Sequence, residues 1–144
     1  MIATVEALRR IRGWSRDEQF TLAAAVALVV GPLLPWVDFA RGTGFSERTS
    51  GIELNAGLLC LVVGVIAVWV LNRPKGPRAA ATSGALTALA LLGGTLVLVA
   101  LIQHWSDPVA PLWGLFVTGL AALALLVGSF LIQGETDESL GPPD

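Results

Sequence analysis

Long apolar stretches alternate along the chain with short polar and charged segments. Four stretches contain no Asp, Glu, Lys or Arg: Phe20 to Val37, Leu54 to Leu71, Ala79 to Ile102 and Val109 to Ile132. A helix rises about 1.5 Å per residue, so roughly 20 such residues cross a hydrocarbon core of about 30 Å. The pattern predicts an all-α membrane protein, an antiparallel four-helix transmembrane bundle with short connections. Residues 1–15 form a leader, 16–133 the bundle and 134–144 an acidic tail without fixed structure.

Local signals refine these elements. Ile2, Val5, Leu8 and Ile11 interleave with Arg9, Arg10 and Arg12, as in a short amphipathic helix lying on a membrane surface. A mobile basic leader is the alternative. Gly13 ends this segment. Ser15 and Glu18 have capping-box spacing, so the first span begins near Arg16. Its apolar stretch exceeds a signal-peptide core, and no small-residue cleavage site follows, so it reads as a retained span. Pro32 has no N–H for the Leu28 carbonyl and predicts a kink. Between Asp38 and Glu53, glycines alternate with Ser and Thr, which suits turns or a short hairpin. Pro77 suits the first turn of the third span, and Asp107 with Pro108 the start of the fourth.

At 54% hydrophobic and 14% charged residues, a 144-residue water-soluble fold has too little interior to hide its apolar side chains. Charge placement then orients the spans. Arg9, Arg10, Arg12 and Arg16 precede the first, and Arg73, Lys75 and Arg78 join the second to the third. Arg41 and Arg48 are diluted by Asp38, Glu47 and Glu53, and the third connection has no cation. Cations near span ends are retained on the cytoplasmic side. Both termini and the Asn72 to Arg78 loop are therefore expected inside a cell membrane, with the other two connections outside. Trp36, Trp105 and Trp113 then fall at the outer boundary and Trp14 and Trp69 at the inner one, where indole rings act as interface anchors.

Small residues recur at four-residue spacing: Ala23, Ala27 and Gly31; Ala56, Cys60 and Gly64; Ala80, Gly84 and Ala88; Ala124 and Gly128. Such stripes let helix backbones approach closely in lipid, either within the chain or against a second membrane protein. Cys60, the only cysteine, reads as a buried inert thiol. Thr87, Thr95, Thr118 and Ser129 are the polar groups expected to bond to their own helix backbones. No span holds an Asp, Glu, Lys, Arg or His, whereas coupled transport and intramembrane hydrolysis call for charged, nucleophilic or metal-binding groups at depth. No enzyme activity, catalytic residue or cofactor is expected. The remaining constellation is Asp38, Glu53, His104 and Asp107 near the outer boundary. It reads as solvated residues closing helix ends or as a cation or pH-sensitive site, and its spacing matches no ligand motif.

Leu33-Leu34-Pro35-Trp36-Val37, a Gly/Ser-rich loop, Ser50-Gly51-Ile52-Glu53, Gly57-Leu58-Leu59 and Gly64 resemble the first hairpin of small uncharacterised four-span membrane proteins of GC-rich bacteria and halophilic archaea. The resemblance covers about a third of the chain and implies the architecture, with no activity attached. The topology is also similar to that of claudin-like proteins, but their paired loop cysteines are missing. The function expected is that of a structural or accessory membrane protein acting through helix faces and its first outer loop. The alternative is a transporter or channel subunit whose pathway forms on oligomerisation. Its partners are the lipid bilayer and a membrane protein or further copies of itself, with no nucleic acid.

Overall fold

The structure, a computed structural model, describes residues 2–38, 48–73, 79–103, 105, 110–111 and 113–139. It is mostly helical: α1 (Ile2–Arg12), α2 (Arg16–Val30), α3 (Asn55–Asn72), α4 (Ala79–Gln103) and α5 (Trp113–Ser139). Three short strands accompany them, β1 (Pro35–Asp38), β2 (Arg48–Ser50) and β3 (Ala110–Pro111), in the order β2-β1-β3. Among the described residues three helices are long and apolar enough to cross a membrane: Asn55–Asn72, Thr82–Gln103 and Trp113–Gly134.

The first apolar stretch is therefore not one long helix. The capping box forms, with Ser15 N–H donating to Glu18 Oε2 at 3.0 Å and Glu18 N–H to Ser15 Oγ at 3.3 Å. It starts α2 at Arg16, with Asp17 and Glu18 in the positive first turn. Instead of kinking at Pro32, the helix stops at Val30 and tightens into a 3-10 turn, Gly31–Leu33, before entering β1. Two prolines explain the stop, since Pro32 cannot donate to Leu28 nor Pro35 to Gly31. The fifteen residues of α2 span only about 22 Å.

The segment from Asp38 to Glu53 contributes a hairpin, as its composition suggests, but the hairpin begins earlier, at Pro35. Val37 pairs with Thr49 and Asp38 with Arg48, antiparallel. On the other edge of β1, Val37 pairs with Pro111 and Asp38 with Ala110. This second pairing moves the start of the last helix from the expected Val109 to Trp113. Ala110 precedes a proline and favours extended backbone, and Pro111 is tolerated on an edge strand. At its far end α5 continues to Ser139, where a tail without structure was expected from Gly134. Glu135 and Glu138 are good helix formers, and a helix already nucleated extends at little cost. Pro77, Asp107 and Pro108 lie outside the described residues.

Packing closes a ring: α2 lies on α3 and α5, and α4 also lies on α3 and α5. One core cluster joins Ala24, Ala25 and Leu28 of α2 to Val63 and Ala67 of α3, Leu86 and Ala90 of α4 and Ala121, Ala122 and Leu125 of α5. A second, at the sheet end, gathers Trp36, Val37, Cys60, Val97, Ala100 and Leu115. Large apolar side chains meanwhile point outward, among them Leu59 and Val62 on α3, Leu91 and Leu98 on α4, and Leu120, Leu123 and Phe130 on α5. No more than 39% of the most apolar stretch of any of the three candidate spans is buried inside the protein. Water would oppose so large an apolar exterior, whereas hydrocarbon covers it without penalty.

Candidate functional site

Chemistry-bearing side chains collect in two places, the sheet end and the seam between α4 and α5. At the sheet end, Asp38 is buried on β1 and stands opposite Arg48, which places opposite charges on facing positions. Glu53 closes the 3-10 turn Gly51–Glu53 and is exposed, with its Oε1 accepting from Ser50 Oγ at 3.4 Å. His104 and Asp107, the other two members of the outer polar cluster, lie outside the described residues. Among the described residues no three His, Cys, Asp or Glu side chains gather as a metal site would require.

Trp36 is the main surprise of this end. Expected as an anchor at the headgroup level, it is fully buried instead. Its Nε1 donates to the Gly31 carbonyl at 3.1 Å, and its ring lies so close to Gly51 that a Cβ there would sit 2.5 Å from Trp36 Cε2. Strand β1 turns the indole inward under the hairpin. Trp69, Trp105 and Trp113 are exposed and Trp14 half-buried. The Arg73 guanidinium stacks 3.7 Å above the Trp69 ring, a cation–π pair at the end of α3. Trp36 and Trp105, both expected at the outer boundary, thus have opposite environments.

The α4–α5 seam holds a buried hydroxyl cluster. Ser83 Oγ donates across the seam to the Ser129 carbonyl at 3.0 Å, and the Thr87 and Ser129 hydroxyls meet at 2.9 Å. Thr87 also reaches the Ser83 carbonyl and Ser129 the Leu126 carbonyl. Thr95 and Thr118 bond to the carbonyls four residues back, as anticipated. Ser83 and Thr21 went unnoticed in the sequence. Thr21 is fully buried and donates to Asp17 O at 2.6 Å, although it sits beside the charged start of α2. Among the described residues no buried side-chain nitrogen or oxygen lacks a partner. The seam hydroxyls have backbone carbonyls and one another as partners, an arrangement that ties helices together and supplies no base to activate a nucleophile.

The small-residue stripes divide between inside and outside. Gly31, Cys60, Gly64 and Gly128 are buried. A Cβ at Gly31 would overlap Thr118 Oγ1, and one at Gly128 would overlap Thr21 Oγ1. At Gly64 it would lie 2.9 Å from the Val29 backbone nitrogen. Cys60 Sγ approaches the Gly93 carbonyl of α4 at 3.8 Å. Ala27, Ala56 and Ala124 are half-buried. Ala23, Gly84 and Ala88 are exposed, and nothing lies within 4 Å of a Cβ built at Gly84. These three do not serve packing within the chain, because α2 and α4 turn other faces to the core. The side chain of Ala80 is outside the described set. Gly51, Gly57 and Gly114, absent from the stripes, make backbone approaches of their own. A Cβ at Gly57 would collide with the Gly51 backbone, and one at Gly114 would sit 2.5 Å from Pro35 O.

Neither family models, nor characterised proteins, nor solved structures give a match to this chain. The class it belongs to rests on its own geometry: a helical membrane protein with, among the described residues, three candidate spanning helices and a small sheet at one end.

Proposed function

We propose that the chain is a structural or accessory protein of the cell membrane, crossing it four times as an antiparallel bundle with both termini cytoplasmic. The fourth crossing is the segment from Arg16 to Asp38. Helix α2 and the 3-10 turn together extend about 28 Å, and the strand supplies the rest. Non-helical backbone at membrane depth is tolerated where protein covers it, and Gly31, Pro32, Trp36 and Val37 are all buried. The sheet supports the alternating topology. It joins the α2–α3 and α4–α5 connections at one end, which are the two connections poor in net positive charge.

The single observation carrying the accessory reading is the division between interior and exterior. Inside, small and hydroxyl-bearing residues pack among Leu28, Leu86, Leu115, Leu125 and Trp36, with their polar atoms satisfied. Outside, many further large apolar residues face lipid or another span, along with the small residues Ala23, Gly84 and Ala88. A polar pathway through one copy finds no support in such an interior, and neither does catalysis in the seam. Association through the outer faces and the sheet end does. Native mass spectrometry of the protein extracted from its own membrane in mild detergent tests this. A defined mass with a second membrane protein is the expected result. A homo-oligomer or a bare monomer would overturn the accessory role, and the former would move attention to flux in liposomes.

A further inference from the structure

Helix α1 stands apart from the ring. Every α1 residue whose side chain is described is exposed, including Ile2, Val5, Arg9 and Arg12. An isolated helix of eleven residues is marginal in water, so α1 requires a surface to lie on. At about 100° per residue the sequence places Thr4, Val5, Ala7, Leu8 and Ile11 on one face. Arg12 falls on the same face, between Leu8 and Val5, where its long stem can carry the guanidinium outward; Arg9, Glu6 and Arg10 fall opposite, together with Ile2. Only Gly13 to Ser15 separate α1 from α2, and four arginines lie between positions 9 and 16.

We propose that α1 is a docking element for anionic phospholipid, lying in the bilayer plane with its apolar face in the acyl boundary and Arg9, Arg10, Arg12 and Arg16 on headgroup phosphates. Two observations select this occupant. The three-residue tether holds α1 beside the start of α2, which the crossing proposed above for Arg16 to Asp38 sets at the bilayer surface. The arginine cluster then complements an anionic surface, each cation adding attraction that falls off within a Debye length. Half-buried Trp14, at the junction of α1 and α2, suits the same depth. This inference goes beyond the accessory role and rests only on the proposed membrane crossing by Arg16 to Asp38, not on any protein partner.

The test uses the full chain in nanodiscs of phosphatidylcholine, with and without phosphatidylglycerol, read by amide hydrogen exchange. Protection of α1 is expected to rise in the anionic discs and to collapse at high salt. It should fall about fivefold for each arginine replaced in Arg9→Gln and Arg12→Gln. Protection of α5 should not change, which shows that the variants fold. Val5→Ser should weaken protection in both discs. Fast α1 exchange in both discs would overturn the proposal, and is the outcome expected if the face instead docks an acidic protein. Equal, salt-insensitive protection in both would overturn it too, since the arginines would then recognise nothing.

Discussion

The indole Nε1 of Trp36 donates to the carbonyl of Gly31, 3.1 Å away. This carbonyl is the acceptor that Pro35 would have served had it carried an N–H in a continued helix. The side chain thus satisfies a backbone group freed where the first apolar segment unwinds, and Leu34 N–H satisfies it as well at 3.1 Å. Trp36→Phe keeps the ring and removes this donor. We expect it to cost about 1–2 kcal/mol of stability, and Trp36→Ala roughly 3–5 kcal/mol through the cavity. Reversible unfolding in mixed micelles measures both, and a near-neutral Trp36→Phe beside a costly Trp36→Ala would argue that packing alone holds the turn.

Glycine substitutions should separate by position. A Cβ at Gly57 meets the Gly51 backbone, which has nowhere to go, so Gly57→Ala should cost roughly 3 kcal/mol or more. Gly84→Ala meets nothing and should stabilise α4 by up to about 1 kcal/mol. The same unfolding assay ranks the pair, and a neutral Gly57→Ala would contradict the close approach.

The hydroxyl seam should show coupling. A double-mutant cycle between Thr87→Val and Ser129→Ala is expected to give an interaction energy of about 0.6 kcal/mol, typical of hydrogen bonds between membrane helices. A value indistinguishable from zero would mean that each hydroxyl is content with its own helix carbonyl.

The β1–β3 pairing can be trapped. In a Cys60→Ala background, Asp38→Cys with Ala110→Cys should oxidise to a disulfide, because directly paired antiparallel residues lie about 4.5–5.5 Å apart at Cα. Mass spectrometry after mild oxidation reads the bridge. Failure of these facing positions to link, while Asp38→Cys with Pro111→Cys links readily, would show a different register.

The Trp69–Arg73 stack predicts a smaller effect. Arg73→Gln should cost about 0.5–1 kcal/mol, and the fluorescence difference between wild type and Trp69→Phe should change on the same substitution. An unchanged difference would mean that the cation does not rest on the ring in solution.

The sequence alone determined the solvent, α3 and α4 to within one residue, the existence of α5 though not its ends, and the capping box that starts α2. These features depend on transfer free energy and hydrogen bonds between near neighbours, which a chain displays in its local order. Only the tertiary structure decided where the first segment leaves the helix, because Pro35 matters through what replaces its missing donor. It alone brought Ala110 and Pro111 to the edge of β1, some seventy positions away in sequence. Burial of Trp36 followed from that sheet, and the split between Gly64 and Gly128 inside and Gly84 outside followed from how the helices turn toward one another. Two glycines look alike in hydropathy and in spacing. What distinguishes them is the atom from another element that occupies the space of the missing side chain.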